Sequence, residues 1–138
     1  SDTSISCTVP ANVGKNHAVI LTLAGQSVTA SSTFSYSPPE IHAFSLPSAY
    51  STNTNSYFNT EGGETLTILG VNFGHQYWDT TTSSVKTMVA SKISVSVATN
   101  GASRSCTSIA WVTDRKITCS TPAGVGQELD VSVTVASQ

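Results

Sequence analysis

Apolar and polar residues alternate with a period of two along much of this chain, and nowhere is a helical period sustained. In residues 129–135 (LDVSVTV) the odd positions are apolar and the even ones polar; residues 93–97 (ISVSV) repeat the scheme, and residues 19–23 follow it more loosely. Such alternation sets one side of a segment against a core and the other in water, which predicts half-buried strands. Residues 65–69 (TLTIL) predict a fourth strand ended by Gly70, with Leu66 and Ile68 facing the core. Trp111-Val112 and residues 116–119 flank a predicted turn at Thr113-Asp114-Arg115, and Phe34-Ser35-Tyr36 predicts a short strand stopped by Pro38-Pro39. Glu61-Gly62-Gly63 and Asn100-Gly101 carry residues that tolerate positive φ and so predict turns. Short strands, frequent turns and no helix define an all-β sandwich or barrel.

The chain also repeats itself. Residues 1–26 lie without a gap on residues 113–138, an offset of 112, and 11 of the 26 positions are identical. The identities include Cys7/Cys119, Pro10/Pro122, Val13/Val125, Gly14/Gly126 and Gln26/Gln138, and the pairs Leu21/Val133 and Leu23/Val135 keep the apolar alternation in phase. Two Ser/Thr-rich stretches match by composition easily; they do not also align Cys, Pro and Gly. The expected organisation is therefore tandem, with a period of about 112 residues. Pro38-Pro39 cannot donate to a sheet and favours an extended connector, which sets the boundary. Residues 1–37 are expected to be the C-terminal part of an upstream repeat, and residues 38–138 the following repeat, lacking its last strand. The count of three cysteines implies a free thiol or a partner elsewhere, and the repeat favours a partner elsewhere.

Composition narrows the function. Only 10% of residues are charged, against about 25% in an average soluble domain, and the 43 Ser and Thr residues take up the difference. The six Lys and Arg are unclustered and the net charge is −2, which argues against binding a phosphate backbone. No apolar run approaches the roughly 20 residues needed to span a membrane. No signal-peptide pattern starts at Ser1, so if the protein is exported its targeting segment is expected outside this sequence.

Three stretches carry a family resemblance: Pro39-Glu40-Ile41, the run EGGETLTILGVNFG at residues 61–74, and the run ITCSTPAGVG at residues 117–126, with Cys106 between the last two. Together they resemble an IPT/TIG domain, the immunoglobulin-like sandwich shared by plexins, transcription factors and many cell-surface proteins. The resemblance covers residues 38–138 and treats residues 1–37 as the tail of a preceding copy. It implies an immunoglobulin-like β-sandwich in which Gly62-Gly63 turn into the first long strand. Gly70 and Gly74 then let the chain bend around Phe73, which plugs one end. It also implies a disulfide between Cys106 and Cys119, with Cys7 paired to a cysteine upstream of Ser1. A bridge closing so short a loop stabilises by about 3 kcal/mol on the chain-entropy view. Cysteine pairs persist in oxidising compartments, so the extracellular, cell-surface branch of the family is expected over the DNA-binding one. The stretch from His75 to Lys92 is longer than the family's usual connection there and carries Trp78.

Candidate chemistry beyond the fold is thin. His17, His42 and His75 are scattered without metal-ligand spacing, no catalytic motif is present, and two cysteines without nearby histidines are too few for structural zinc. No enzyme activity, cofactor or metal is expected. His75, Tyr77 and Trp78 are the candidate contact with a partner or a neighbouring repeat, because exposed aromatics are favoured interface anchors; Trp78 folded back on its own sandwich is the plainer alternative. Thr80, Thr81, Thr82, Ser83, Ser84, Ser31, Ser32 and Ser37 are candidate O-glycosylation sites, with simple polar solvation as the alternative. No N-linked sequon occurs. The expected function is a structural or adhesive module of an extracellular stalk or filament, whose partners are neighbouring copies of the repeat and other cell-surface proteins or glycans. A receptor ectodomain recognising a protein through the 75–92 loop is the alternative.

Overall fold

The computed structural model describes residues 3–46, 51–52, 55–79, 84–87, 92–99, 102–126 and 129–138. In chain order the strands are β1 (His17–Leu23), β2 (Gln26–Phe34), β3 (Glu40–Ser45), β4 (Ser51–Thr52), β5 (Asn55–Ser56), β6 (Thr65–Val71) and β7 (Gln76–Asp79). They continue with β8 (Ser84–Thr87), β9 (Ile93–Thr99), β10 (Ala102–Ser105), β11 (Thr107–Thr113), β12 (Lys116–Ser120) and β13 (Asp130–Val135). The described residues contain no helix. All pairings are antiparallel.

Two sheets make the sandwich, one ordered β11-β12-β6-β3 and the other β10-β9-β13. In the first, Ile117 pairs with Ile68 and Cys119 with Leu66, so four inward side chains form one layer; all four are buried. In the second, Val131, Val133 and Val135 pair with Val97, Val95 and Ile93. Both layers belong to one apolar cluster. The alternation in the sequence thus becomes burial, since strand side chains point to opposite faces in turn.

Gly70 does not end its strand, contrary to the expectation from its sequence. β6 continues to Val71, and the glycine is the point where β3 and the Phe73 ring close over the strand. A Cβ at Gly70 would collide with the Glu40 carbonyl oxygen and stand 2.6 Å from Phe73 Cζ. Phe73 itself is fully buried, and its bend is fixed from the turn between β11 and β12. Phe73 N–H donates to the Asp114 carbonyl (3.0 Å), and Gly74 N–H donates to Asp114 Oδ1 (3.1 Å).

Residues 34–36 also differ from expectation. The strand is β2, which ends at Phe34 after nine residues and pairs with β1 through a bulge between Ala18 and Ile20. This hairpin forms a sheet of its own. Val19, Ile20, Leu21, Leu23 and Val28 are exposed on it, because two strands alone have no second layer against which to bury a face. The stretch after His75, expected as a long connection, contains the hairpin β7–β8. The predicted turn at Asn100-Gly101 lies outside the described residues.

Candidate functional site

Residues 10–36 meet the sandwich at the C-terminal end of β13, and one side chain makes the joint. The Gln138 amide accepts from Gly14 N–H through Oε1 (2.9 Å) and donates through Nε2 to the Tyr36 carbonyl (2.8 Å). Tyr36 N–H in turn donates to the Gly14 carbonyl (3.0 Å). The Gln138 amide therefore acts as an added peptide group across two chain segments that already bond to one another. Gly14 is buried at φ +102°, and a Cβ on it would stand 3.4 Å from that of Ala136 and 3.3 Å from His17 Nε2. That φ favours glycine, and the contacts leave little room for a larger residue.

Around this clamp the upstream segment is braced from inside. His17, Phe34 and Tyr36 form a three-ring cluster with centroids 5.2–5.6 Å apart. Tyr36 O–H donates to the Pro10 carbonyl (2.7 Å), and His17 Nε2 lies 3.0 Å from the Val13 carbonyl oxygen. Val13 is 7% exposed and belongs to the same buried cluster as Val135. On the downstream side Asn72 Nδ2 donates to the Pro38 carbonyl (2.9 Å), which fixes the connector. The hydrogen bonds through the Gln138 side chain join amide and peptide groups alone.

β13 ends in a turn that repeats the one between β1 and β2. Ala24 and Gly25 have φ of 49° and 81°; Ala136 and Ser137 have φ of 48° and 66°. Two successive positive φ values are the mark of the two-residue hairpin turn that matches strand twist. Leu23 pairs with Gln26 in the first turn. Val135 and Gln138 exchange N–H···O bonds of 3.2 and 3.0 Å in the second.

At the other end of the sandwich the two family motifs lock together. Thr121 N–H donates to the Glu64 carbonyl and Gly63 N–H to the Thr121 carbonyl, both at 2.8 Å, and Gly124 N–H donates to the Thr60 carbonyl at 2.9 Å. Glu64 Oε2 accepts from Asn59 N–H (2.7 Å) and holds that loop. Gly62 has φ +72°, and a Cβ there would be 2.5 Å from Ala123 N, so only glycine fits. Beside this knot a groove of about 200 Å³ is lined by Phe58, Val97, Arg104, Pro122, Val125 and Leu129, among others.

Cys106 sits where the chain leaves β10 in one sheet for β11 in the other, and Cys119 is on β12. Both are buried, and they are hydrogen-bonded to each other. That bond lowers the Cys106 thiol pKa, with burial opposing; it raises that of Cys119, with burial and the Cys106 charge adding. The expected disulfide is not formed in this structure: Cys106, Cys119 and the exposed Cys7 are free thiols.

Of the other candidates, His75 is exposed. Tyr77 and Trp78 stand on β7 opposite Lys86 and Val85; their side chains lie outside what the structure describes. Ser31, Ser32 and Ser37 are exposed. Thr80, Thr81, Thr82 and Ser83 lie outside the described residues, as does the side chain of Ser84. His42 makes a surface contact of 3.6 Å with Glu40. The structure does not bring the three histidines together, and among the described residues no three His, Cys, Asp or Glu side chains gather at one point. Missed in the sequence were Gln138, Gly14 and Tyr36. The repeat had marked Gln26/Gln138 and Gly14/Gly126 without giving them a task.

Two facing antiparallel sheets with a strand-switching crossover define an immunoglobulin-like β-sandwich. The IPT/TIG domain profile matches residues 47–138, more than half of the chain, and the protein belongs to that family. The family supplies non-catalytic immunoglobulin-like modules to adhesion and receptor-type proteins. Its members occur in extracellular and cell-surface proteins and also in intracellular transcription factors. Neither the curated proteins nor the solved structures returned a match. Among the described residues no helix is long and apolar enough to cross a membrane.

Proposed function

We propose that this chain is a link in an extracellular array of IPT/TIG repeats that forms a semi-rigid stalk or filament, with adhesion as its task. Residues 1–37 belong to one repeat and residues 38–138 to the next, whose last strand is a counterpart of β2. The observation that carries this reading is the Gln138 clamp. A flexible tether would need no side chain shared between Gly14 and Tyr36, and a connector of Pro38-Pro39 leaves little slack. The twin turns after β1 and β13 support the same division.

An oxidising exterior suits the adjacent Cys106 and Cys119. A disulfide oxidant would take the two electrons and two protons, leaving a bond that pins the crossover between sheets. O-linked sugars on Ser31, Ser32 and Ser37 would suit so weakly charged a surface, and a natively sourced mass equal to the bare polypeptide would refute them. Partners are neighbouring copies, and other surface proteins or glycans reached along the array.

Residual dipolar couplings test the clamp. Amides of β1–β2 and of β6–β12 are expected to fit one alignment tensor, and Gln138→Ala is expected to split it in two. Two tensors in the unmutated chain would refute a semi-rigid joint.

A further inference from the structure

The same repeat position has opposite fates at the two ends of the sandwich. Val13 is 7% exposed, buried where the upstream segment meets residues 136–138; Val125, its equivalent one period later, is 76% exposed. Gly14, bonded to Gln138, is buried, and its equivalent Gly126 is exposed with φ still positive at +146°. β13 separates these sites, since it begins beside Leu129 and the groove and ends at Val135 beside the clamp. A strand of six residues spans about 20 Å, so the sites are at opposite ends of the sandwich.

We propose that Val125, Gly126 and the adjoining groove are the seat for the 136–138 end of a following copy of this repeat. The contact would reproduce the one that Gly14, beside the buried Val13, makes with Ala136 and Gln138. Gly126 N–H would donate to a glutamine side chain at the position of Gln138, and Val125 would close against the following copy's β13 terminus. The groove between Phe58, Arg104, Pro122 and Leu129 supplies apolar surface beside that contact, with Arg104 as its one charge among the lining residues. An exposed valine and an exposed glycine, whose equivalents one period earlier are both buried, are what one uncovered joint leaves behind. This seat rests on the array reading, and it adds the face, the residues and the polarity: each repeat's 125–126 end meets the next repeat's 136–138 end, never its own kind.

The test compares one joint with two. A chain in which residues 27–138 are repeated after Gln138 contains both the original joint and the proposed one. Val13→Asp is expected to lower the thermal midpoint of the 138-residue chain by several degrees, and Val125→Asp to leave it unchanged. In the extended chain Val125→Asp is expected to be as damaging as Val13→Asp, and the Gly126 amide to exchange at least tenfold more slowly than in the shorter chain. A silent Val125→Asp together with an unprotected Gly126 amide in the extended chain overturns the proposal. Scattering on the same sample keeps that failure distinct from failure of the array reading: even growth in length would leave the array standing with a different contact face.

Discussion

At the scale of single residues, the fold depends on a few positions where shape permits one choice. Phe73 is fully enclosed and held from the Asp114 turn by two hydrogen bonds. Phe73→Ala is expected to cost about 3–5 kcal/mol, from lost burial plus the cavity left behind, measurable by urea denaturation. Gly70→Ala fails for the opposite reason. Its methyl would meet the Glu40 carbonyl and the Phe73 ring, so the sheet must shift at a cost of about 1–3 kcal/mol. The thiols divide by exposure. In the reduced, folded protein a thiol reagent is expected to label Cys7 alone, with Cys106 and Cys119 reacting only on unfolding. Oxidation with a disulfide reagent is expected to join the buried pair and raise stability by about 3 kcal/mol relative to the dithiol; rapid labelling of all three under native conditions would show that the two core cysteines are not enclosed.

At the scale of elements, alternation located the strands whose inner face reaches the core. β9, β12 and β13 appear within a few residues of where the sequence puts them, and β6 begins at Thr65 as read. It failed where burial does not set the pattern. β2 was legible only at its Phe34 end, because Ser27, Thr29, Ser31, Ser32 and Thr33 give no apolar period; backbone pairing to β1 makes that strand. β10, with sequence ASRS, is exposed throughout and was invisible for the same reason. Gly70 misled because a glycine at a close backbone approach looks, in sequence, like a glycine at a turn. The joint was half legible: the repeat aligned Gly14 and Gln138 with their equivalents without giving them a task, Tyr36 lies outside it, and hydrogen bonds between the three leave no motif. One prediction belongs here. β13 already closes its turn with Gln138 and is an edge strand among those described. Adding a second copy of residues 27–37 after Gln138 is expected to raise the thermal midpoint by several degrees and slow exchange of the β13 amides. An unchanged midpoint would mean that edge is not the place of a β2-type strand.

At the scale of the whole molecule, sparse charge and a joint held through the Gln138 amide make geometry insensitive to salt, since screening acts only on charges. In the proposed array, entry at the 136–138 end and exit at the 125–126 end would give each repeat a direction, and a chain of such repeats would carry that direction along its whole length. Small-angle scattering of chains holding one, two and three periods measures this most directly. The maximum dimension is expected to grow by an equal step for each added period while the cross-section stays constant. Growth nearer the square root of the number of periods, as flexibly tethered domains give, would contradict it.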